Sequence, residues 1–164
     1  MFSIIDIETT GGNPKKDRIT EICILTHDGI QIVNEFTTLI NPECNIPPFI
    51  TRLTGIDNRM VKEAPPFYKV AKQIVELTEG TTFVAHNAPF DYGFVKAEFS
   101  SLGFNYERNT LCTVRLSRKL LKGRSSYSLG NLCAWLGIEN EARHRAAGDA
   151  YATAKLFSLL LQQK

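Results

Sequence analysis

Asp6 and Glu8 stand two residues apart in Phe2-Ser3-Ile4-Ile5-Asp6-Ile7-Glu8, a run otherwise apolar enough for the middle of a sheet. On a strand this spacing puts both carboxylates on one face, with Cα atoms roughly 6.5 to 7 Å apart. Two anions on a buried strand repel each other unless a cation, an arginine or a proton compensates. A divalent cation is the compensation that would give the pair a chemical use; the competing arrangement is two solvated acids at an exposed strand end. Asp91 follows Pro89 in the first turn of a helical segment, where a carboxylate serves the helix dipole as readily as a metal. Asp149 shares a helical face with Thr153, Leu156 and Leu160, so its side is turned to the core. Four such oxygen donors suit hard cations of the Mg²⁺ or Mn²⁺ kind. His144 precedes Asp149 by five residues. On a continuous helix the two would face different ways, which places His144 on the loop before the helix, leaning over the site. A histidine's ordinary pKa, about 6.5, suits removal of a proton from water near neutral pH, although a lone histidine is more often a structural or surface residue than a catalytic one.

The elements that must carry these residues can be read in order. Strands are expected over Phe2 to Ile7, Ile19 to Leu25 and Ile30 to Ile40, with Asp28-Gly29 as a hairpin turn. Pro42 to Pro48 reads as irregular. Pro65-Pro66 opens a helix with Val70, Ile74 and Leu77 at helical spacing, stopped by Gly80. Thr82 to Ala85 reads as a short strand. A helix from Pro89 follows, with Phe90, Phe94, Phe99 and Leu102 as its expected buried side. A strand near Thr110 to Thr113 precedes three helical pieces broken at Gly123 and at Gly137 to Arg143. Strands first, then alternation, then helices imply an α/β domain with a mixed sheet covered by helices.

The 164 residues, 43% hydrophobic and 22% charged, suit one globular domain and exclude disorder or a collagen-like repeat. Apolar runs such as Leu159-Leu160-Leu161 fall far short of the ~18 residues a membrane span needs, and Met1-Phe2-Ser3 lacks a basic leader, so no membrane partner and a cytoplasmic setting are expected. Cys23, Cys44, Cys112 and Cys133 form no CxxC pair, which implies reduced thiols rather than a zinc knuckle or disulfides. Net charge is only +2, yet Arg115 to Arg124 holds five cations and no acid. That run is a solvated helix face or a patch that tracks phosphates, with Arg118 and Lys122 as candidates for the second use.

Three segments resemble the motifs of the DEDDh 3′ to 5′ exonucleases: Asp6-Ile7-Glu8-Thr9-Thr10-Gly11, His86-Asn87-Ala88-Pro89-Phe90-Asp91 and His144-Arg145-Ala146-Ala147-Gly148-Asp149. They are most like the proofreading epsilon subunit and the exonuclease domain of bacterial DNA polymerase III. Leu53-Thr54-Gly55-Ile56 and Ser128-Leu129-Gly130-Asn131-Leu132 are weaker echoes, and the likeness runs over residues 2 to 160. It implies an RNase H-like fold, a five-stranded mixed sheet flanked by helices, with residues 1–164 as one exonuclease domain. It also implies two divalent cations, Mg or Mn, held by Asp6, Glu8, Asp91 and Asp149, with His144 as general base. Thr9 and Thr10 would hold the terminal 3′ hydroxyl by backbone and hydroxyl groups. Ile56 would wedge beside the last base, a core role being equally open to it, and His86 and Asn87 would position substrate or brace the site. The implied activity is removal of nucleoside monophosphates from single-stranded or frayed DNA 3′ ends in proofreading or repair. A polymerase or a fused downstream domain would be the partner. RNA trimming is the first alternative, although Glu8-Thr9-Thr10-Gly11 looks more like the DNA-directed members. A catalytically silent nucleic-acid-binding module is the second, and the presence of all five active positions argues against it. The last helix ending near Gln162-Gln163-Lys164 fits a free-standing enzyme or one domain of a longer protein.

Overall fold

The computed structural model describes residues 1–163; Lys164, at the chain end considered above, lies outside the described residues. Five strands form one sheet: β1 (Phe2–Thr9), β2 (Ile19–His27), β3 (Ile32–Leu39), β4 (Thr82–Ala85) and β5 (Asn109–Cys112), in the order β3-β2-β1-β4-β5. β1 pairs antiparallel with β2 and β2 with β3, whereas β4 runs parallel to β1 and β5 to β4. The expected mixed sheet is present, and β1, with Asp6 and Glu8, is its central strand.

Period-two alternation along β1 sorts its side chains between two layers. Ile5 and Ile7 face α3 (Phe67–Thr78) and α4 (Ala88–Ser101), packing with Phe67, Val70, Ile74, Phe94, Val95 and Phe99. Ile4 faces the other way, onto Ala146, Ala150, Ala154 and Phe157 of α7 (Ala146–Leu161). The three alanines at four-residue spacing let α7 lie close to the sheet, and Phe157 closes the layer edge-on against Phe2 and His27. Asp6 and Glu8 share the parity of Ile4, so they point toward the α7 layer. α5 (Thr113–Leu120) and α6 (Leu129–Leu136) cover the far flank of α7, where Leu132 meets Leu156 and Leu160.

The turn after β2 runs longer than the hairpin expected. The Asp28 carboxylate accepts from both the Ile30 and Gln31 N–H groups, so Ile30 belongs to the turn and β3 begins at Ile32. Two short helices, α1 (Pro48–Thr54) and α2 (Asn58–Lys62), follow the irregular stretch. Ile46, Ile50, Ile56 and Val61 form their own small core beneath Leu39. Leu39 pairs with Glu21, and Glu21 with Glu8, so this lobe sits at the carboxylate end of the sheet.

The expected buried side of α4 needs correction. Phe94 and Phe99 are buried, but Phe90 is 37% and Leu102 46% exposed. The buried stripe is Ala88, Asp91, Phe94, Val95, Glu98 and Phe99. Two carboxylates, seven residues apart, occupy the stripe and turn Phe90 outward, and Leu102 is already the C-cap. Glu98 is answered by Arg18 Nε at 2.7 Å and by the Ile19 N–H. Phe157→Ala is therefore expected to cost about 3–5 kcal/mol of unfolding free energy and Phe90→Ala less than about 1 kcal/mol, as read from urea denaturation.

Candidate active site

One carboxylate oxygen each from Asp6, Glu8 and Asp149 come within 4.8 Å of one another. β1 supplies the first two from one face, and the first turn of α7 lowers Asp149 onto them. Asp91 stands next to this triad rather than in it. Beyond the last registered β1–β4 pair, Ile4 with Val84, the Ile7 N–H is taken by Asp91 Oδ1 at 3.2 Å, and the Asp91 side chain is buried there. Asp149 accepts from Asn140 Nδ2 at 2.7 Å and from the His144 N–H at 3.1 Å.

Crowding governs the electrostatics. Burial, then the neighbouring Asp91, Asp149, Glu8 and Glu21, pushes Asp6 well above the usual carboxylate range. Burial, with Asp149, Glu21 and Asp91 adding to it and Arg145 opposing, pushes Glu8 up to about 9. Burial also raises Asp91, against the hydrogen bond from Ile7, and Asp149, against those from Asn140 and His144. Asp6 Oδ2 is buried with no hydrogen-bond partner among the described residues. A set of oxygen donors that repel each other, one of them unpartnered, fits a hard divalent cation, whose charge would replace the protons that otherwise hold the cluster together.

His144 lies in the turn over residues 141–144 that leads into α7, as its spacing from Asp149 implies. It has φ 65°, and it is half-buried. Two residues that the sequence reading did not single out hold this turn. Glu21, 3% exposed and opposite Glu8 in the β1–β2 register, accepts from Arg145 Nη2 at 2.7 Å, from Arg145 Nε at 3.0 Å and from the Ala146 N–H at 2.8 Å. An acid in the middle of the apolar strand Ile19-Thr20-Glu21-Ile22 was the signal available for Glu21. Asn140 carried none.

The remaining candidates are distributed unevenly. Thr9 and Thr10 follow Glu8, but their hydroxyls are committed to their own loop: Thr9 Oγ1 donates to the Gly11 carbonyl, and Thr10 Oγ1 accepts from the Arg18 N–H. These bonds hold the fold-back of the chain here. A Cβ on Gly11 would lie only 2.5 Å from Asp17 Oδ2. Of the two roles open to Ile56, its complete burial fits the core one; Phe49 and Leu53 are exposed apolar side chains of that lobe. His86 spends both ring nitrogens internally, Nδ1 on Thr113 Oγ1 and Nε2 on the Tyr127 carbonyl, each at 2.8 Å. Asn87, at φ 74°, stands at the N-cap position of α4 without a side-chain cap hydrogen bond and is exposed. With Arg118, His86 and the 125–129 segment it lines a groove of about 640 Å³. Lys122 is exposed in the turn beyond α5.

A family model described as exonuclease, RNase T, matches residues 3–157. The chain belongs to this exonuclease family. It is 42% identical over 164 residues to the 3′-5′ exonuclease DinG of Bacillus subtilis, covering 99% of this chain and 18% of that protein. It is 40% identical over 162 residues to the DNA polymerase III PolC-type protein of Caldanaerobacter subterraneus, covering 99% of this chain and 12% of that protein. The chain thus spans less than a fifth of these relatives. Among solved structures, exonuclease X in complex with 5′ overhanging duplex DNA superposes with a TM-score of 0.79 at 28% identity, covering 99% of this chain and 92% of that one. The exonuclease fold is therefore the one built here, the RNase H-like sheet with its helical layers. Among the described residues no helix is long and apolar enough to cross a membrane.

The raised carboxylates set a pH dependence for the metal-free protein. Glu8 has 4.5 as its ordinary value and about 9 in the fold. The folded form then holds a proton that the unfolded chain releases, so the contribution is fully present below pH 4.5 and is lost as pH rises through about 9. Thermal melts in a chelator should show stability falling across this window, and Glu8→Gln should flatten the fall and be more stable than the parent at pH 8. A Glu8→Gln melt with the parental pH dependence would contradict this electrostatic account.

Proposed function

We propose that this chain is a metal-dependent 3′ to 5′ exonuclease domain that releases nucleoside monophosphates from DNA 3′ ends, in proofreading or repair. The observation that carries the reading is the convergence of Asp6, Glu8 and Asp149 around the unpartnered Asp6 oxygen, beside the turn that bears His144. Asp6, Glu8 and Asp149, with Asp91 beside them, would hold two divalent cations, Mg or Mn. When bound, these cations supply positive charge where negative charge develops on the phosphodiester.

The chain's own residues do the rest. His144 takes the proton of the attacking water, and Asp149 fixes the backbone that carries it through the His144 N–H. The backbone of Thr9 and Thr10, next in sequence to Glu8, would receive the terminal 3′ hydroxyl. Phe49 and Leu53, exposed on the lobe at the carboxylate end, take the apolar contact with the last base. Asn87 and Arg118 in the groove, with Lys122 beyond it, track the phosphates of the preceding strand. His86 braces the groove wall through Thr113 and Tyr127. DNA as substrate, and a DNA polymerase or a fused domain as partner, are supported by the likeness to the DinG and PolC-type proteins. A cytoplasmic setting is in keeping with both.

Digestion of 5′-labelled oligonucleotides with Mg²⁺ or Mn²⁺ tests this reading. Single-stranded and frayed 3′ ends should shorten stepwise and faster than paired ends, because unpairing costs a few kcal/mol. Asp6→Ala and Asp149→Ala should fold and lose nearly all activity. His144→Ala should lose about 10²- to 10⁴-fold in turnover while still binding Mn²⁺ in calorimetry. Parental rates for Asp6→Ala, or faster digestion of matched RNA by the parent, would overturn the assignment.

A further inference from the structure

Glu21 is a buried carboxylate directly opposite Glu8, yet all its hydrogen bonds go to one place outside the triad. Oε2 accepts from Arg145 Nη2, and Oε1 accepts from Arg145 Nε and from the Ala146 N–H. Ala146 is the first residue of α7, and Arg145 at the N-cap makes no side-chain cap to its own helix. Glu21 therefore fills the capping place from a neighbouring element. The two-pronged guanidinium pairing adds a fixed orientation that a single hydrogen bond would not.

The residues held on either side of this grip are those assigned to chemistry. His144 immediately precedes Arg145, in a left-handed conformation, and its N–H goes to Asp149 Oδ2. The Asp149 N–H in turn goes to the Arg145 carbonyl at 3.0 Å. Residues 144 to 146 are thus suspended between two carboxylates, Asp149 within α7 and Glu21 on β2. β2 is the strand paired with β1, so the same rigid ladder that presents Glu8 also fixes where the His144 turn sits.

We propose that the Glu21–Arg145 pair is a positioning clamp that registers the His144 turn against the carboxylates of β1. It rests on the reading of His144 as the general base. A brace serving stability alone would lower the melting temperature and leave turnover unchanged below it, whereas a positioning clamp acts on turnover while substrate binding stays intact.

The test uses the full chain and the variants Glu21→Ala, Glu21→Gln, Arg145→Ala, Arg145→Lys and Glu21→Ala/Arg145→Ala. Each is assayed on a single-stranded oligonucleotide at saturating Mn²⁺, at a temperature where circular dichroism shows it folded. Each alanine variant should lose roughly a hundredfold in kcat, the scale on which small misplacements of a reacting group are felt, with KM within about twofold of the parent. The double variant should be no slower than the slower single one, because one unit has been broken twice. Glu21→Gln, which keeps an acceptor for the Ala146 N–H, and Arg145→Lys should fall between parent and alanine variants. If an alanine variant does not fold, these two carry the comparison. Amide exchange in the metal-free protein gives a readout independent of turnover: Ala146 protection should drop about tenfold in Glu21→Ala. Turnover within twofold of an active parent, single losses that multiply in the double variant, or unchanged Ala146 protection would each overturn the clamp. A parent without nuclease activity would instead overturn the exonuclease reading, leaving the exchange result to judge the clamp.

Discussion

Mutual repulsion among buried carboxylates is the constraint around which this molecule is arranged. Asp6, Glu8, Asp91 and Asp149 come from three elements, and Glu21 adds a fifth acid across the β1–β2 ladder. Three of the five are answered by hydrogen bonds or an ion pair. Arg145 pairs with Glu21. Asp91 takes the Ile7 N–H where the β4 ladder has ended, and Asp149 takes Asn140 and the His144 N–H. Asp6 Oδ2 is left with none. Burial and charge then drive Asp6 and Glu8 toward their protonated forms. Such a cluster is costly as a structural feature and useful as a receptor for positive charge.

The rest of the fold holds that cost in place. β1 can carry two acids on one face because its other face and both neighbouring strands are packed with isoleucine, leucine and phenylalanine. α7 can bring Asp149 down to the sheet because Ala146, Ala150 and Ala154 face it, where larger side chains would hold the helix off. α4 carries Asp91 toward the site and is anchored seven residues later by the buried Glu98, whose carboxylate meets Arg18 and the Ile19 N–H. Removing Arg18, itself about one third exposed, would leave the buried Glu98 uncompensated, so these acids also specify how the layers register.

Much of this was legible in the residues. The Asp6-x-Glu8 spacing placed both acids on one face, the stripe shared with Leu156 and Leu160 turned Asp149 inward, and the five-residue gap set His144 on the turn before α7. The count of five strands came from the resemblance, whereas their order, β3-β2-β1-β4-β5, was not legible, because periodicity cannot pair strands. The misreadings have identifiable causes. On α4 the apolar pattern pointed to Phe90, whereas the phase was set by two buried acids that hydropathy counts as surface residues. α1 and α2 were passed over although Pro48 at a helix start, Gly55 in a left-handed cap and Asp57 accepting from the Met60 N–H are all local signals. Ile56 could be told from a wedge only once the lobe's small core was known, since exposure is a tertiary property. The Glu21–Arg145 pair spans 124 residues of chain, and nothing local announces such a partnership.

Proton release on metal binding tests the central claim most directly. Mn²⁺ is titrated into the metal-free protein near pH 7 in buffers of different ionisation enthalpy, and the dependence of the observed heat on buffer gives the protons released. A cluster held together by protons, with Glu8 titrating at about 9, must release at least one proton per protein as the cation takes their place. Binding without proton release would contradict the electrostatic account of the site, and no binding at all would contradict the assignment of these carboxylates to a metal.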